Sequence, residues 1–305
     1  MPSIQRAFAD SSLGEVHYRY LLTDNEPKKR PIVFLHTSAS SSANCEKMMK
    51  MFAPLGHDCY APDMPGFGES FDPAEDPVNI AWYVHVYAEV FQDIGFFDDG
   101  FHIVGYHAGA SIAIEMETLY MNVIRSICMI GPIIMLDRER AMMRKDFQSV
   151  FNKPILDGSG LTKAWKYLAE LGVGDNVESK HREALNHTRA WKGRYQIYNA
   201  VLNQDSEAVF VQVSCPVMAL RARDDILWPY FDNVQKIRPG TRVEEIKGAD
   251  FEPDRDAEGI YEEYTDFLRS VEKWDTKHGI SVEFGEKELE KRAELVCMLW
   301  KAQAC

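Results

Sequence analysis

The sequence predicts an α/β protein, a mostly parallel twisted sheet flanked by helices and interrupted by a helical insertion. Three observations carry this prediction. Short continuous apolar runs, such as Ile32-Val33-Phe34-Leu35, fit strands buried on both faces of a parallel sheet. These runs alternate with stretches of helical spacing, which implies right-handed crossovers. From about residue 136 to 210 the pattern turns helical, charged and aromatic, with Trp165 and Trp191 and no buried strand, and the alternation resumes after Cys215-Pro216.

Residues 16–22 mix β-formers with polar residues and fit an early edge strand. Residues 31–36 are the first buried strand, followed by a Ser/Thr-rich loop at 37–42 and a helical stretch at 43–52. Residues 57–62 form the next strand. The run Asp63-Met-Pro-Gly-Phe-Gly-Glu-Ser70 after it is turn chemistry, with Pro and two Gly close together. Trp82, Val86, Val90 and Phe91 give 80–91 a helical period. Residues 101–106 are a strand running into His107-Ala-Gly-Ala110, with helix over 111–120 and a further strand over 123–130 ended by Gly131-Pro132. Past the insertion come a strand at 216–220, a loop and helix at 225–236, a strand at 241–246 and a helix at 257–271. A charged amphipathic helix is expected at 286–301. The expected organisation is therefore a core (1–135), a helical insertion (136–212), the rest of the core (213–275) and a C-terminal helical extension (276–305).

Composition narrows the function. The chain has 305 residues, 46% hydrophobic and 27% charged, an ordinary globular balance. Its net charge of −13 disfavours binding to phosphate backbones, so no nucleic-acid partner is expected. No apolar stretch approaches the length that spans a bilayer, and the N-terminal residues lack the pattern of a secretory signal. The six cysteines (Cys45, Cys59, Cys128, Cys215, Cys297, Cys305) show no CxxC spacing and read as reduced packing residues of a cytoplasmic protein.

Four segments, in order, share a pattern. Phe34-Leu-His36-Thr-Ser38 ends a strand, Asp63-Met-Pro-Gly-Phe-Gly-Glu-Ser70 is a turn, Gly105-Tyr-His-Ala-Gly109 joins a strand to a helix, and Asp225-Ile-Leu-Trp-Pro229 follows a strand. This set resembles the α/β-hydrolase fold superfamily over roughly residues 32–271, with the insertion in the place of that superfamily's cap. The resemblance implies an oxyanion loop at 36–38, a nucleophile elbow of the G-x-S-x-G type centred on His107 and an acid at Asp225. The departures are the more informative part. His107 replaces the nucleophile, Asp250 in Lys247-Gly-Ala-Asp250-Phe stands where the superfamily's histidine is expected, and Thr37 replaces a common Gly.

These residues suit proton transfer better than acyl transfer. An elbow sets its central side chain beside free amides of a helix N-terminus, which favour negative charge. Imidazole is a good general base near neutral pH, and a neighbouring carboxylate strengthens it. His107, Asp225 and Asp250 are therefore the catalytic candidates, and His36, Thr37, Ser38, Tyr106, Ala108 and Trp228 the candidates for binding substrate or an oxyanion. Ser40, Trp165 and Trp191 are further pocket candidates, and Asp224 is the alternative to Asp225. The expected activity is that of an α/β-hydrolase-fold enzyme on a small carbonyl, ester or lactone-like molecule, by hydrolysis or by a lyase or isomerase step. No cofactor and no membrane partner is expected; the expected partner is the small-molecule substrate, and a homodimer is left open. Two alternatives stay open. One is a non-catalytic ligand-binding protein, and the other a metal-dependent enzyme with His107, Asp225 and Asp250 as ligands, with or without His36.

Overall fold

The structure, a computed structural model, describes residues 3–146, 150–278 and 298. In chain order its first elements are strands β1 (Gln5–Ser11), β2 (Gly14–Leu21) and β3 (Lys29–Leu35), helix α1 (Glu46–Phe52) and strand β4 (His57–Pro62). Helices α2 (Ile80–Asp93) and α3 (Phe96–Asp99), strand β5 (Phe101–Tyr106), helix α4 (Ala108–Leu119) and strand β6 (Ile124–Ile130) follow. Five helices then come in succession: α5 (Asp137–Asp146), α6 (Ser159–Glu170), α7 (Val177–Arg189), α8 (Trp191–Asn203) and α9 (Ser206–Gln212). The chain continues through β7 (Val217–Ala222), α10 (Asn233–Ile237), β8 (Arg242–Ile246), α11 (Glu252–Arg255) and α12 (Ala257–His278).

The eight strands form one sheet in the order β1-β2-β4-β3-β5-β6-β7-β8. β1/β2 and β2/β4 pair antiparallel, and every other pair is parallel. β5 and β6 are buried along their whole length, as continuous apolar runs require. Their side chains alternate between two cores. On β5, Phe101 and Ile103 pack with α2 and α4, whereas Val104 and Tyr106 pack with α1 and α12. Each such burial is worth about 2 kcal/mol.

The early strand at 16–22 is β2, but it is not the edge: β1 lies outside it. β1 (QRAFADS) is mostly exposed and polar, so its pairing is carried by backbone bonds to β2 and leaves little apolar signal. The helix expected at 111–120 begins at Ala108, directly after the elbow. The tail helix expected at 286–301 lies outside the described residues except for Met298, as do Cys297 and Cys305. Cys45, Cys59, Cys128 and Cys215 are buried free thiols. Among the described residues no helix is long and apolar enough to cross a membrane.

The topology fixes where a site can form. From β3 the chain goes to β4 on one side and then to β5 on the other, so a crevice opens at the carboxyl ends of β3 and β5. The register aligns the ends of five strands: Leu35 pairs with Gly105, Tyr106 with Ile130, Ile130 with Leu220, and Ala222 with Ile246. The segments leaving those ends hold Thr37, His107, Gly131, Asp225 and Asp250.

Candidate active site

His107 sits between β5 and α4 with φ 47° and ψ −107°, a conformation costly for a residue with a Cβ. The flanking glycines make the turn possible. A Cβ on Gly109 would lie 2.2 Å from the Leu35 carbonyl oxygen, and one on Gly105 would lie 2.6 Å from the Ala110 backbone. The His107 amide donates to the Ile130 carbonyl at 2.9 Å, which ties the elbow to β6. The amides of Ala108 and Gly109 open α4, where a helix leaves its first N–H groups without intrahelical acceptors.

The His107 ring is buried, and its Nε2 lies 3.0 Å from Asp225 Oδ2. Asp225 is itself held, since its Oδ1 accepts from the Leu227 amide at 2.6 Å. Gly131, at the end of β6, leaves room for this pair. A Cβ there would come within 2.5 Å of both Asp225 Oδ2 and His107 Nε2. With Nε2–H donating to Asp225, the lone pair is on Nδ1, the nitrogen left for a ligand.

Asp250 lies in the turn after β8 and accepts a long bond from the Ile226 amide at 3.4 Å. The Tyr106 phenol donates to the Asp250 carbonyl, and the Tyr106 and His107 rings are 4.4 Å apart. His107, Asp225 and Asp250 thus converge, each offering an atom within 4.8 Å of the others. That spacing is compatible with a cation held by one imidazole and two carboxylates, though the His107–Asp225 contact has the length of a direct hydrogen bond.

The electrostatics divide these groups. Burial works against the His107 charge, but Asp225, with a smaller contribution from Asp250, outweighs it and raises the His107 pKa above 6.5. Burial also opposes ionisation of Asp225, and there His107 and the Leu227 amide prevail and lower its pKa. Asp250 is pushed up to about 6, by burial first and by the Asp225 charge, against the opposing pull of His107.

Glu252 belongs to this cluster and was not singled out from the sequence. It is wholly buried facing Asp225 and Tyr106, and burial followed by the Asp225 charge holds its pKa well above the usual carboxylate range. Ionisation of Glu252 is thus disfavoured beside the Asp225 carboxylate. A Glu amid Asp250, Asp254 and Asp256 gives no sequence signal, because only the packing of α11 buries it.

A cavity opens over this cluster. From the core it is lined by Thr37, Ser38, Ser40, Tyr106, His107 and Asp250. The helices between β6 and β7 add Tyr167, Glu183, His187, Arg194 and Tyr198, among others. This insertion is fastened to the core on two sides. Arg189 bonds the Gly68 and Ser70 carbonyls and Asp72, while Arg182 reaches Asp254 at 2.5 Å. On the core side, the 63–70 turn is anchored by Asp63, which accepts from the Ser42 and Glu69 amides and contacts His17 Nδ1 at 2.7 Å.

Several expected binding residues are placed elsewhere. His36 does not line the cavity. Both ring nitrogens are committed, Nδ1 to the Thr37 carbonyl and Nε2 to the Met64 amide, and burial lowers its pKa, so it is a structural histidine. Trp228 lies away from the cavity under Arg221 and Arg223, and Ile226 and Leu227 from the same loop line it instead. Ala108 and Asp225 are not in the cavity wall, and Asp225 stands behind the imidazole. Neither Trp165 nor Trp191 reaches the cavity. Asp224 is exposed and accepts from the Ala249 amide, which braces the turn that carries Asp250.

The architecture is the α/β-hydrolase fold with a helical cap insertion. Residues 30–167 match the family model described as alpha/beta hydrolase fold. The chain is similar to a bromoperoxidase from Bacillus anthracis at TM-score 0.72 and 16% identity, covering 88% of this chain and 100% of that one. It is also similar to an enol-lactonase from Burkholderia xenovorans LB400, at TM-score 0.67 and 12% identity over 86% and 100% of the two chains. A haloalkane dehalogenase loop variant from Bradyrhizobium elkanii aligns at TM-score 0.65 and 15% identity over 90% and 99%. Comparison with curated protein sequences finds no match.

Proposed function

We propose that this protein is an enzyme that binds a small organic carbonyl compound in the cavity and transfers a proton through His107. The observation that carries the reading is the Nε2 to Asp225 hydrogen bond of 3.0 Å on an elbow facing the cavity. It fixes the tautomer and leaves Nδ1 as the base. Residues 136–212 serve as the cap over the bound substrate.

For an ester or lactone the step runs as follows. Nδ1 takes a proton from water as its oxygen bonds to the carbonyl carbon. The tetrahedral oxyanion is met by the α4 N-terminal amides. The ester C–O bond then breaks, and the imidazolium returns its proton to the departing oxygen. With an enolisable ketone the same nitrogen removes the α-proton and delivers it elsewhere on the substrate, which gives isomerisation. Asp225 stabilises the imidazolium in either case, and Asp250 adds negative charge beside it.

The test is turnover of a panel of lactones, aryl esters and enolisable ketones by the wild type and by His107→Ala. Loss of about 100- to 10,000-fold in kcat/KM with an unchanged melting temperature is expected. Turnover surviving in His107→Ala, or saturable binding with no turnover anywhere in the panel, would overturn the reading. Treatment with EDTA should leave the activity intact, whereas loss restored by added zinc or manganese would favour the metal-dependent alternative.

A further inference from the structure

We propose that the cavity selects substrates carrying a carboxylate, which docks on Arg194 while the rest of the molecule extends toward His107. This inference rests on the cavity being the substrate site, but not on the chemistry assigned to His107. Among the described residues lining the cavity, Arg194 is the only lysine or arginine. It projects from α8 and is only 7% exposed, in a wall that also holds Met143, Val201 and Leu202.

Its surroundings hold the guanidinium rigid. The group lies 4.6 Å from the Phe151 ring centroid, 5.1 Å from Tyr198 and 5.6 Å from Tyr167, and one nitrogen donates to the Tyr167 hydroxyl at 3.2 Å. Aromatic faces stabilise the cation and restrict its rotamers, which orients the planar fork of donors. Such a fork matches a carboxylate with two parallel bonds. Glu183 shares the cavity wall, but its carboxylate pairs with Arg182 at 2.7 Å. His187 adds no competing charge. Burial, helped by Arg194, pushes its pKa down to about 4, and its Nδ1 is taken by the Glu183 carbonyl at 3.0 Å.

The two poles of the cavity then sort a substrate. A carboxylate is repelled by Asp250 and Asp225 near His107 and attracted by Arg194 on the cap. Tyr198 lines the same cavity as Asp250, with the Arg194 guanidinium 5.1 Å from its ring centroid. With Tyr167 it gives a flat unsaturated body a surface to stack on. The substrate class is a small unsaturated carboxylic acid bearing a carbonyl group remote from the acid.

The test is calorimetric titration at neutral pH with para-acetylbenzoate and its uncharged isostere para-acetylbenzamide. The wild type should bind the acid at least roughly tenfold more tightly, as expected for a charge-assisted pair. Arg194→Met should abolish that preference, and Arg194→Lys, which keeps the charge without the fork, should restore part of it. His107→Ala should retain the preference in full, so a failure of the proton-transfer reading is told apart from a failure of this one. Equal affinity for the two ligands, a preference that survives in a folded Arg194→Met, or no binding of the acid at millimolar concentration overturns the proposal.

Discussion

At the scale of the residue, the His107 imidazole has one nitrogen spoken for and one open. Only the neutral ring can accept a proton, so kcat/KM should climb with pH through the raised His107 pKa, above 6.5. Asp225 and Asp250 both contribute to that elevation, Asp225 the more. Asp250→Asn should therefore move the ascending limb to lower pH, and Asp225→Asn should move it further while slowing the reaction. A pH–rate profile of the three proteins checks the order. Glu252 gives a second prediction. Its folded pKa is raised, so holding it protonated costs stability progressively as pH rises above 4.5. Glu252→Gln keeps the shape and removes that cost, so its melting temperature should exceed the wild type's by a margin that widens from pH 5 toward pH 8. His107 was legible in the sequence because two glycines at fixed spacing announce a strand-to-helix elbow whatever residue stands between them. Glu252 was not, because its acidity is made by burial. His36 and Trp228 look like site residues in sequence, and only their partners reveal them as structural.

At the scale of the element, the site depends on how five strand ends line up and on what β6 leaves out. Gly131→Ala would place a methyl within 2.5 Å of His107 Nε2 and Asp225 Oδ2. The pair must then separate, so activity should fall about as far as in Asp225→Asn, with a stability loss of about 1–3 kcal/mol by thermal melt. An unchanged rate in that variant would show that the ring and carboxylate need not touch. The buried strands and the helices after them were readable because apolar runs and helical periods are local signals. β1 was not, because its place at the edge is decided by register with β2. The relation of Asp250 to His107 rests in the sequence on the resemblance, and it is the β5–β6, β6–β7 and β7–β8 pairings together that align their two loops.

At the scale of the whole molecule, an overall charge of −13 surrounds a cavity whose cap carries a buried cation. The outer field repels an approaching carboxylate, and added salt screens that field more than it screens a buried contact. The association rate of para-acetylbenzoate should therefore rise with ionic strength, while its dissociation rate changes little, which stopped-flow binding can measure. A rate that falls with salt would mean that a local basic funnel outweighs the net charge. The clasp of Arg189 and Arg182 on the core joins residues far apart in the chain, so the shape of the pocket could not be read from the order of residues.

The substitution at the elbow has a consequence for how such a protein is noticed at all. Fluorophosphonate reagents survey proteins of this architecture by capturing the hydroxyl at the turn between strand and helix. Here that turn bears a ring nitrogen, and the nearby Ser111 hydroxyl is buried in α4. A phosphorylated imidazole hydrolyses back to the free ring. A chemical census built on durable serine adducts at that turn would pass over this chain.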